Sequence, residues 1–396
     1  MTVSLWLDTP HRPAAPLGAD TACDVLVIGG GLCGAACAGA LARAGHDVVW
    51  LEEGRIAGAA TGRNAGFVLQ GTAERYDRAV SLLGRERARR IHAWSLENHA
   101  RIAAAVAAAG IDCAYRRGGS LQLAGTPEEE AELVASAALL TEDGFDAQLL
   151  EGAALGEVYR AAGFRLGVSL PADGELDPVR FVRGLAARAV SDGARLFEGT
   201  AVRALDASAM GDVRAETTGG TVRAQVVVVA TNARAAELLP FFHQKVDPVR
   251  GQMLATAPAP LTFDRPVYAD HGFDYWRQLP DGRVVLGGWR NLDPAAEVGT
   301  ADVLHDGIQQ RMVDFLHRFP PLRGVPITHR WSGTMGFSKD GLPLVGPVPG
   351  AAGALAGVGF TGHGFGFAML AGEALAATVD DGRHPFCDDL TPYRLR

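Results

Sequence analysis

The stretch Asp24–Gly54, DVLVIGGGLCGAACAGALARAGHDVVWLEEG, decides how the chain is read. Val25–Ile28 is an apolar run without alternation, the pattern of a strand buried on both faces. Gly29, Gly31 and Gly34 follow in G-x-G-x-x-G spacing. A run of small residues, Ala35–Ala44, then ends at Gly45, placed as the residue after a helix. A second apolar strand, Val48–Leu51, delivers Glu52. Gly29 makes the tight turn, Gly31 admits a pyrophosphate to the backbone, and Gly34 lets helix and strand close on each other. The helix N-terminus offers free N–H groups and a positive dipole end to phosphate. Glu52 stands where a carboxylate accepts from both ribose hydroxyls of an adenosine. Glycine is abundant (50 of 396 residues), so the spacing alone says little. Between strand and helix, ahead of a strand-ending acid, it specifies an ADP-containing dinucleotide, FAD or NAD.

A chain of 396 residues suggests about two domains. The composition, 48% apolar and 21% charged, is that of a soluble globular protein. A net charge of −8 leaves no electrostatic footprint for nucleic acid. No apolar run approaches the roughly 20 residues that span a bilayer. The opening MTVSLWLDTPHRPAAPLGAD lacks the basic and apolar regions of a signal peptide, so a cytoplasmic location is expected. Five cysteines without a C-x-x-C pair predict no disulfide, with Cys33 and Cys37 as small packing residues. No metal site is expected.

After Glu52, GRIAGAATGRNAGFVLQG is dense in Gly and Ala, as close approach to a flat or phosphorylated group demands. Arg63 and Asn64 are its far-reaching polar side chains. Residues 78–109 read as helical, Cys113–Ala124 as a strand pair, and Thr126 as the cap of a helix ended by Gly144. A helix capped by Asp177 precedes strands at Leu196–Phe197 and Val202. Hairpins turn at Gly219-Gly220 and Asp281-Gly282. Gln225–Ala230 is a buried strand, Val303–Phe319 an amphipathic helix, and Ala368–Val379 the last helix. This order predicts an α/β chain with a discontinuous Rossmann-like FAD-binding domain (1–80, 151–240 and 326–396). An α+β substrate domain on an antiparallel sheet (81–150 and 241–325) is inserted in two pieces.

From the SLWLDTP lead-in through GAATGRNAGF, DPVRFVRGLAARAV, VVVVATNA, RGQMLAT and RQLPDGRVVLGG to DGLPLVG and GFTGHGFGFAMLAGEALA, the whole chain resembles the D-amino-acid-oxidase-like flavoproteins. These include glycine, sarcosine and gamma-glutamylputrescine oxidases, and the resemblance is strongest to the last branch. It implies FAD, with Gly29, Gly31 and Gly34 at the pyrophosphate and Glu52 at the ribose. Thr61, Arg63 and Asn64 would lie along the flavin, the Val202 backbone at the adenine, and Gly362–Gly364 at the pyrimidine. Gly362-His363-Gly364, after a buried strand and before a helix, is also an N-terminus suited to negative charge on a reduced flavin. Where relatives link flavin through cysteine or histidine, this chain has Gly333 or Arg63, so noncovalent FAD is expected. The Arg that reads a substrate carboxylate in a W-x-G-L-R-P-like motif is here Met335, in Trp331-Ser332-Gly333-Thr334-Met335-Gly336. That replacement predicts a substrate without a carboxylate beside the oxidised carbon, its remote acid held by Arg277 or Arg250.

Tyr275 and Arg277 share one face of the DYWRQ strand, either as substrate contacts or as a solvent-facing pair. His363 either touches flavin and substrate or leaves the work to its loop's backbone. His271 is expected without a role, Arg250 in a structural ion pair, and Trp276 and Trp331 in the core. The resemblance implies oxidation of an amine C–N bond, with hydride to flavin N5, then imine hydrolysis and no dedicated general base. The expected substrate is a small primary or gamma-glutamylated amine, with oxygen or a carrier as electron acceptor. The alternative is an amino-acid oxidase, or a dehydrogenase using a quinone or carrier. A NAD enzyme is disfavoured because a second βαβ half is missing; a noncatalytic flavin-binding subunit is the remaining class. Nothing in the sequence fixes the oligomeric state.

Overall fold

The computed structural model describes residues 2–158 and 163–395. Its first sheet is organised around Thr21–Ile28, which pairs in parallel with Gly220–Val229 on one side and Val48–Leu51 on the other. The order runs Leu344–Val348, Ala351–Val358, Gly220–Val229, Thr21–Ile28, Val48–Leu51, Arg195–Phe197. Only the first pair on this path is antiparallel. Val213–Thr217 and Val202–Asp206 extend antiparallel from Gly220–Val229. Leu26, Val27, Val228 and Val229 are fully buried, as their unalternating sequence requires.

Small residues let the Leu32–Arg43 and Gly364–Asp381 helices meet almost backbone to backbone. A Cβ at Gly372 would lie 2.4 Å from the Cys33 carbonyl oxygen. Cys33 and Cys37 are buried and unpaired in this contact. Pro178–Ser191 and Arg85–Ala109 pack on the same helices.

The second sheet runs Ile327–Ser338, Val246–Pro258, Arg283–Gly288, Asp274–Gln278, Val267–Ala269, Ser120–Ala124, Leu166–Leu170, Gln148–Glu151. All its pairs are antiparallel except Val267–Ala269 with Ser120–Ala124. The Asp306–Leu316 helix covers it, with Ile308, Met312 and Phe315 buried against Trp276. That helix begins at 306 and not 303, because His305 Nδ1 accepts from the Ile308 N–H and caps it.

Sheet membership departs from the expected boundaries. Leu166–Leu170 and Ile327–Ser338 pair in the second sheet, where Gln148–Glu151 lies as the 81–150 piece predicts. Arg85–Ala109 lies with the helices of the first. The expected 78–109 helix is broken at Gly84, whose φ of +79° favours glycine. Cys113–Ala124 supplies one strand, Ser120–Ala124, and a bridge from Arg116 to Glu175. The lead-in is anchored: Leu5, Trp6 and Leu7 are buried, and Trp6 Nε1 donates to Asn64 O at 2.7 Å.

Candidate active site

A cavity of about 340 Å3 is lined from both sheets, running from Gly29–Gly31 and Glu52 to Tyr275, Met335 and His363. At its nucleotide end Gly29 has φ +116°, and a Cβ there would lie 2.6 Å from Ala230 O. Gly31 caps the first helix without a side-chain bond; the Leu32 N–H donates to Thr61 Oγ1 at 3.2 Å, and the N–H groups of Cys33 and Gly34 behind it stay open among the described residues. A Cβ on Gly31 would approach only Thr61 Oγ1, at 3.2 Å, so packing within the protein does not demand this glycine. Glu52 Oε2 accepts from the Gly30 N–H at 2.6 Å and Oε1 from the Gly54 N–H at 2.8 Å. Burial raises the Glu52 pKa against the pull of those two donors. Each oxygen keeps a lone pair for a hydroxyl. Thr200, Val202 and Thr231 complete this end, and Thr231 Oγ1 is buried without a partner among the described residues. Open N–H groups, an acid with spare acceptors and an orphan hydroxyl suit the ADP half of FAD.

The Ala60–Arg63 turn and Asn64 form the next wall. Asn64 bends onto its own loop, donating to Ala60 O and Thr61 O and accepting from the Gly66 N–H. Arg63 donates to Ser332 O at 2.8 Å and pairs with Asp302 at 3.2 Å. Both side chains therefore brace the loop. A Cβ on Gly333 would stand 2.8 Å from Arg63 Cβ, so the place of a linking cysteine has no room for a side chain. Gly362, at φ +77°, turns the chain into the Gly364–Asp381 helix, which His363 caps without a side-chain bond. Burial lowers the His363 pKa and keeps the imidazole neutral.

At the far end Tyr268 and Tyr275 stack at 5.5 Å, with Phe67 edge-on to both. Glycine at 287 leaves space for the Tyr275 ring, since a Cβ there would sit 2.5 Å from Tyr275 Cε2. Gly251, Met253 and Met335 line an apolar part of the wall. The Arg290 guanidinium lies 4.5 Å from the Phe273 ring centre and 4.8 Å from that of Phe337. Among the described residues no carboxylate pairs with it. Burial pulls its pKa down, offset in part by Tyr275 and Tyr268, and the guanidinium stays charged. Burial pushes the Tyr275 pKa up to about 12.

A family profile of FAD-dependent oxidoreductases, DAO, matches residues 24–378. The chain belongs to that family. It is a FAD-dependent enzyme of the kind that oxidises C–N bonds of amines and amino acids. Glycine oxidase from Geobacillus kaustophilus is 29% identical over 94% of this chain and 96% of its own. Gamma-glutamylputrescine oxidoreductase from Escherichia coli is 28% identical, covering 92% of this chain and 85% of its own. The crystal structure of the Geobacillus glycine oxidase superposes with TM-score 0.78 over 92% of this chain and 95% of its own, at 25% identity. No helix of the described residues is long and apolar enough to cross a membrane.

Several expected site residues are placed differently within this family frame. Arg277 is buried outside the cavity, neither a substrate contact nor solvent-facing. It pairs with Glu175 at 3.3 Å, donates to Leu176 O at 2.7 Å and lies over the Trp6 ring. Alternation did put it on the Tyr275 face, but Glu175 claims it. Arg250 is likewise outside the cavity, paired with Glu297 at 3.3 Å. Neither arginine is positioned to hold a remote acid. His271, expected without a role, lines the cavity, its Nδ1 2.7 Å from Arg75 Nη1. Trp276 and Trp331 are fully buried. Sequence reasoning missed Arg290 and Tyr268. The available signal was hairpin register: Tyr275 pairs with Gly287 and Asp274 with Gly288, which carries the Trp289–Arg290 corner back towards Tyr275.

Proposed function

We propose that this enzyme oxidises the C–N bond of an amine that carries a carboxylate near the reacting carbon, an amino-acid type of substrate. The observation that carries the reading is Arg290, a cation in the cavity wall with no carboxylate among the described residues. Burying a guanidinium against two phenyl rings costs solvation that cation–π contact offsets only in part. A forked contact to a substrate carboxylate supplies the remainder. The expectation of a substrate without that carboxylate came from Met335 and the gamma-glutamylputrescine resemblance; Arg290 supplies the cation that Met335 does not.

The remaining groups suit the same reaction. Gly251, Met253 and Met335 keep water from the reacting carbon, and desolvation favours the neutral amine. Tyr268 and Tyr275, both neutral, confine the amine with Phe67. Gly29, Gly31, Glu52, Thr61 and Val202 would hold the ADP half of the cofactor, with Gly34 closing helix on strand beneath them, and the Gly362–Gly364 turn its ring. FAD held there noncovalently would supply the hydride acceptor, so that the amine would leave as an imine for water to hydrolyse. His363 is a neutral contact in this scheme; no residue here needs to act as a general base.

A second reading, a primary or gamma-glutamylated amine without the neighbouring carboxylate, is favoured by Met335 and by the gamma-glutamylputrescine oxidoreductase match. Anaerobic mixing of the yellow holoenzyme with matched pairs separates the two. The pairs are glycine and methylamine, D- or L-alanine and ethylamine, and sarcosine and dimethylamine. The carboxylate-bearing partner should bleach the flavin faster in at least one pair. Faster bleaching by the bare amine in every pair overturns the reading. Admitting air afterwards separates oxygen from a carrier as acceptor.

A further inference from the structure

A second cavity, of about 60 Å3, adjoins the first and shares Leu69, Ala73, Tyr268, His271, Gly272 and His363 with it. By the same measure one water needs roughly 10–15 Å3, so the space takes about four to six water-sized groups. Gln70, Ser120, Gln122 and Glu129 line this cavity alone. Gln70 is only 7% exposed, yet its Nε2 has no acceptor among the described residues. A buried amide donor left open in a native fold calls for a partner. The backbone around it is held in place independently. The Gln70 N–H donates to Asp173 Oδ1 at 2.8 Å, and the Gly71 N–H to Ser95 Oγ at 2.7 Å. Asp173 is itself fixed by Ser120 Oγ at 2.6 Å. Gln70 Oε1 lies 3.4 Å from His92 Nε2, so what remains without a partner among the described residues is the Nε2 donor.

Glu129, 6% exposed, offers the opposite polarity in the same space. Its Oε2 accepts from the Gly125 N–H at 2.7 Å, and its Oε1 accepts from the His271 N–H at 3.2 Å with the His271 imidazole Nε2 at 3.7 Å, which leaves a lone pair on Oε2. A donor and an acceptor within so small a volume match a group that is both acceptor and donor. We propose that this cavity is a distal subsite for a carboxamide at the far end of the substrate. Its carbonyl accepts from Gln70 Nε2 and its N–H2 donates to Glu129. A carboxylate there meets repulsion from Glu129 and from Glu74, while Arg75 is already engaged by Glu132. A branched alkyl arm leaves Gln70 unpaired. Beyond its Cβ, a glutamine side chain has the size the cavity takes. The proposal rests on the amino-acid reading above for the position of the substrate's other end.

The test uses three arms of nearly equal shape. For the holoenzyme, kcat/KM is compared for glutamine, glutamate and homoleucine, each as both enantiomers. Dissociation constants are measured from the shift in flavin absorption for the unreactive analogues 4-carbamoylbutyrate, glutarate and 5-methylhexanoate. The amide should lead both other arms by about tenfold or more in each series. Gln70→Leu should collapse the amide-to-alkyl ratio towards one, and Gln122→Phe, which fills the second cavity, should do the same if Gln70→Leu does not fold. An alkyl or carboxylate arm equal to the amide, or a ratio unmoved in the variants, overturns the subsite. If no amino acid reduces the flavin, the amino-acid reading fails, and the binding series alone then decides the subsite.

Discussion

Replacing Arg290 with methionine isolates the carboxylate contact. Methionine keeps the length and apolar stem that pack between Phe273 and Phe337 but donates no hydrogen bond. Two charge-assisted bonds to a carboxylate contribute about 1.5–3 kcal/mol each at best. Truncating one partner of such a pair in a dry site costs about 2–5 kcal/mol, equivalent to a loss of roughly 30-fold to several thousand-fold. The lost cation–π contacts contribute only about 0.5–1 kcal/mol each, so folding and FAD content should be nearly unchanged. The assay is the anaerobic rate of flavin reduction against substrate concentration, with glycine and methylamine as the pair. Glycine should lose by the stated factor, mostly through weaker binding, and methylamine by little. Arg290→Lys should fall between, keeping charge without the fork. Equal losses for both amines would refute the contact, since they would place Arg290 in general packing.

Glu52→Ala should weaken FAD binding by about tenfold or more without unfolding the chain, read by fluorescence titration; unchanged affinity would refute the ribose assignment. Gly31→Ala should fold but bind FAD poorly. Gly34→Ala, whose Cβ would lie 1.9 Å from Gly29 O, should not accumulate as folded protein, and circular dichroism distinguishes the two. Acid precipitation should leave all FAD in the supernatant, because Gly333 and Arg63 occupy the linkage places; flavin in the washed pellet would contradict this. Burial pushes the Asp173 pKa up to about 7, above the roughly 3.9 of an unfolded Asp. Its stabilising contribution is thus complete below about pH 4 and lost as pH rises through about 7. The Tm difference between wild type and Asp173→Asn should shrink over that window, and a difference growing with pH would contradict the assignment.

The nucleotide half was legible because each of its residues has a local job. A tight turn, an open helix end and a strand-ending acid leave their marks within one short segment of sequence. Arg277 was misread although strand alternation was right, because its partner Glu175 arrives from a distant segment. Arg290 carried no motif at all; it acquires meaning only where the hairpin corner meets Phe337 on another strand. Where domain boundaries fall near 81, 151 and 326 turns on the same kind of long-range information. Propensity marks Leu166–Leu170 and Ile327–Ser338 as strands, but only pairing partners decide which sheet receives them.

The strap formed by the lead-in has a consequence for biogenesis. Thr2 N–H donates to Asp302 at 3.0 Å, and the Ser332 N–H donates to Thr2 Oγ1 at 3.3 Å. Arg63, in the loop along the cavity, donates to Thr2 as well. Thr2 leaves the ribosome 300 residues before Asp302, a lag of roughly 15–60 s at about 5–20 residues per second. Throughout that interval Leu5, Trp6 and Leu7 have no finished core to enter, and the Ala60–Arg63 turn lacks its outer brace. Capture of the cofactor therefore belongs to the nearly finished polypeptide, and a nascent chain stalled before residue 302 should remain colourless and dependent on chaperones.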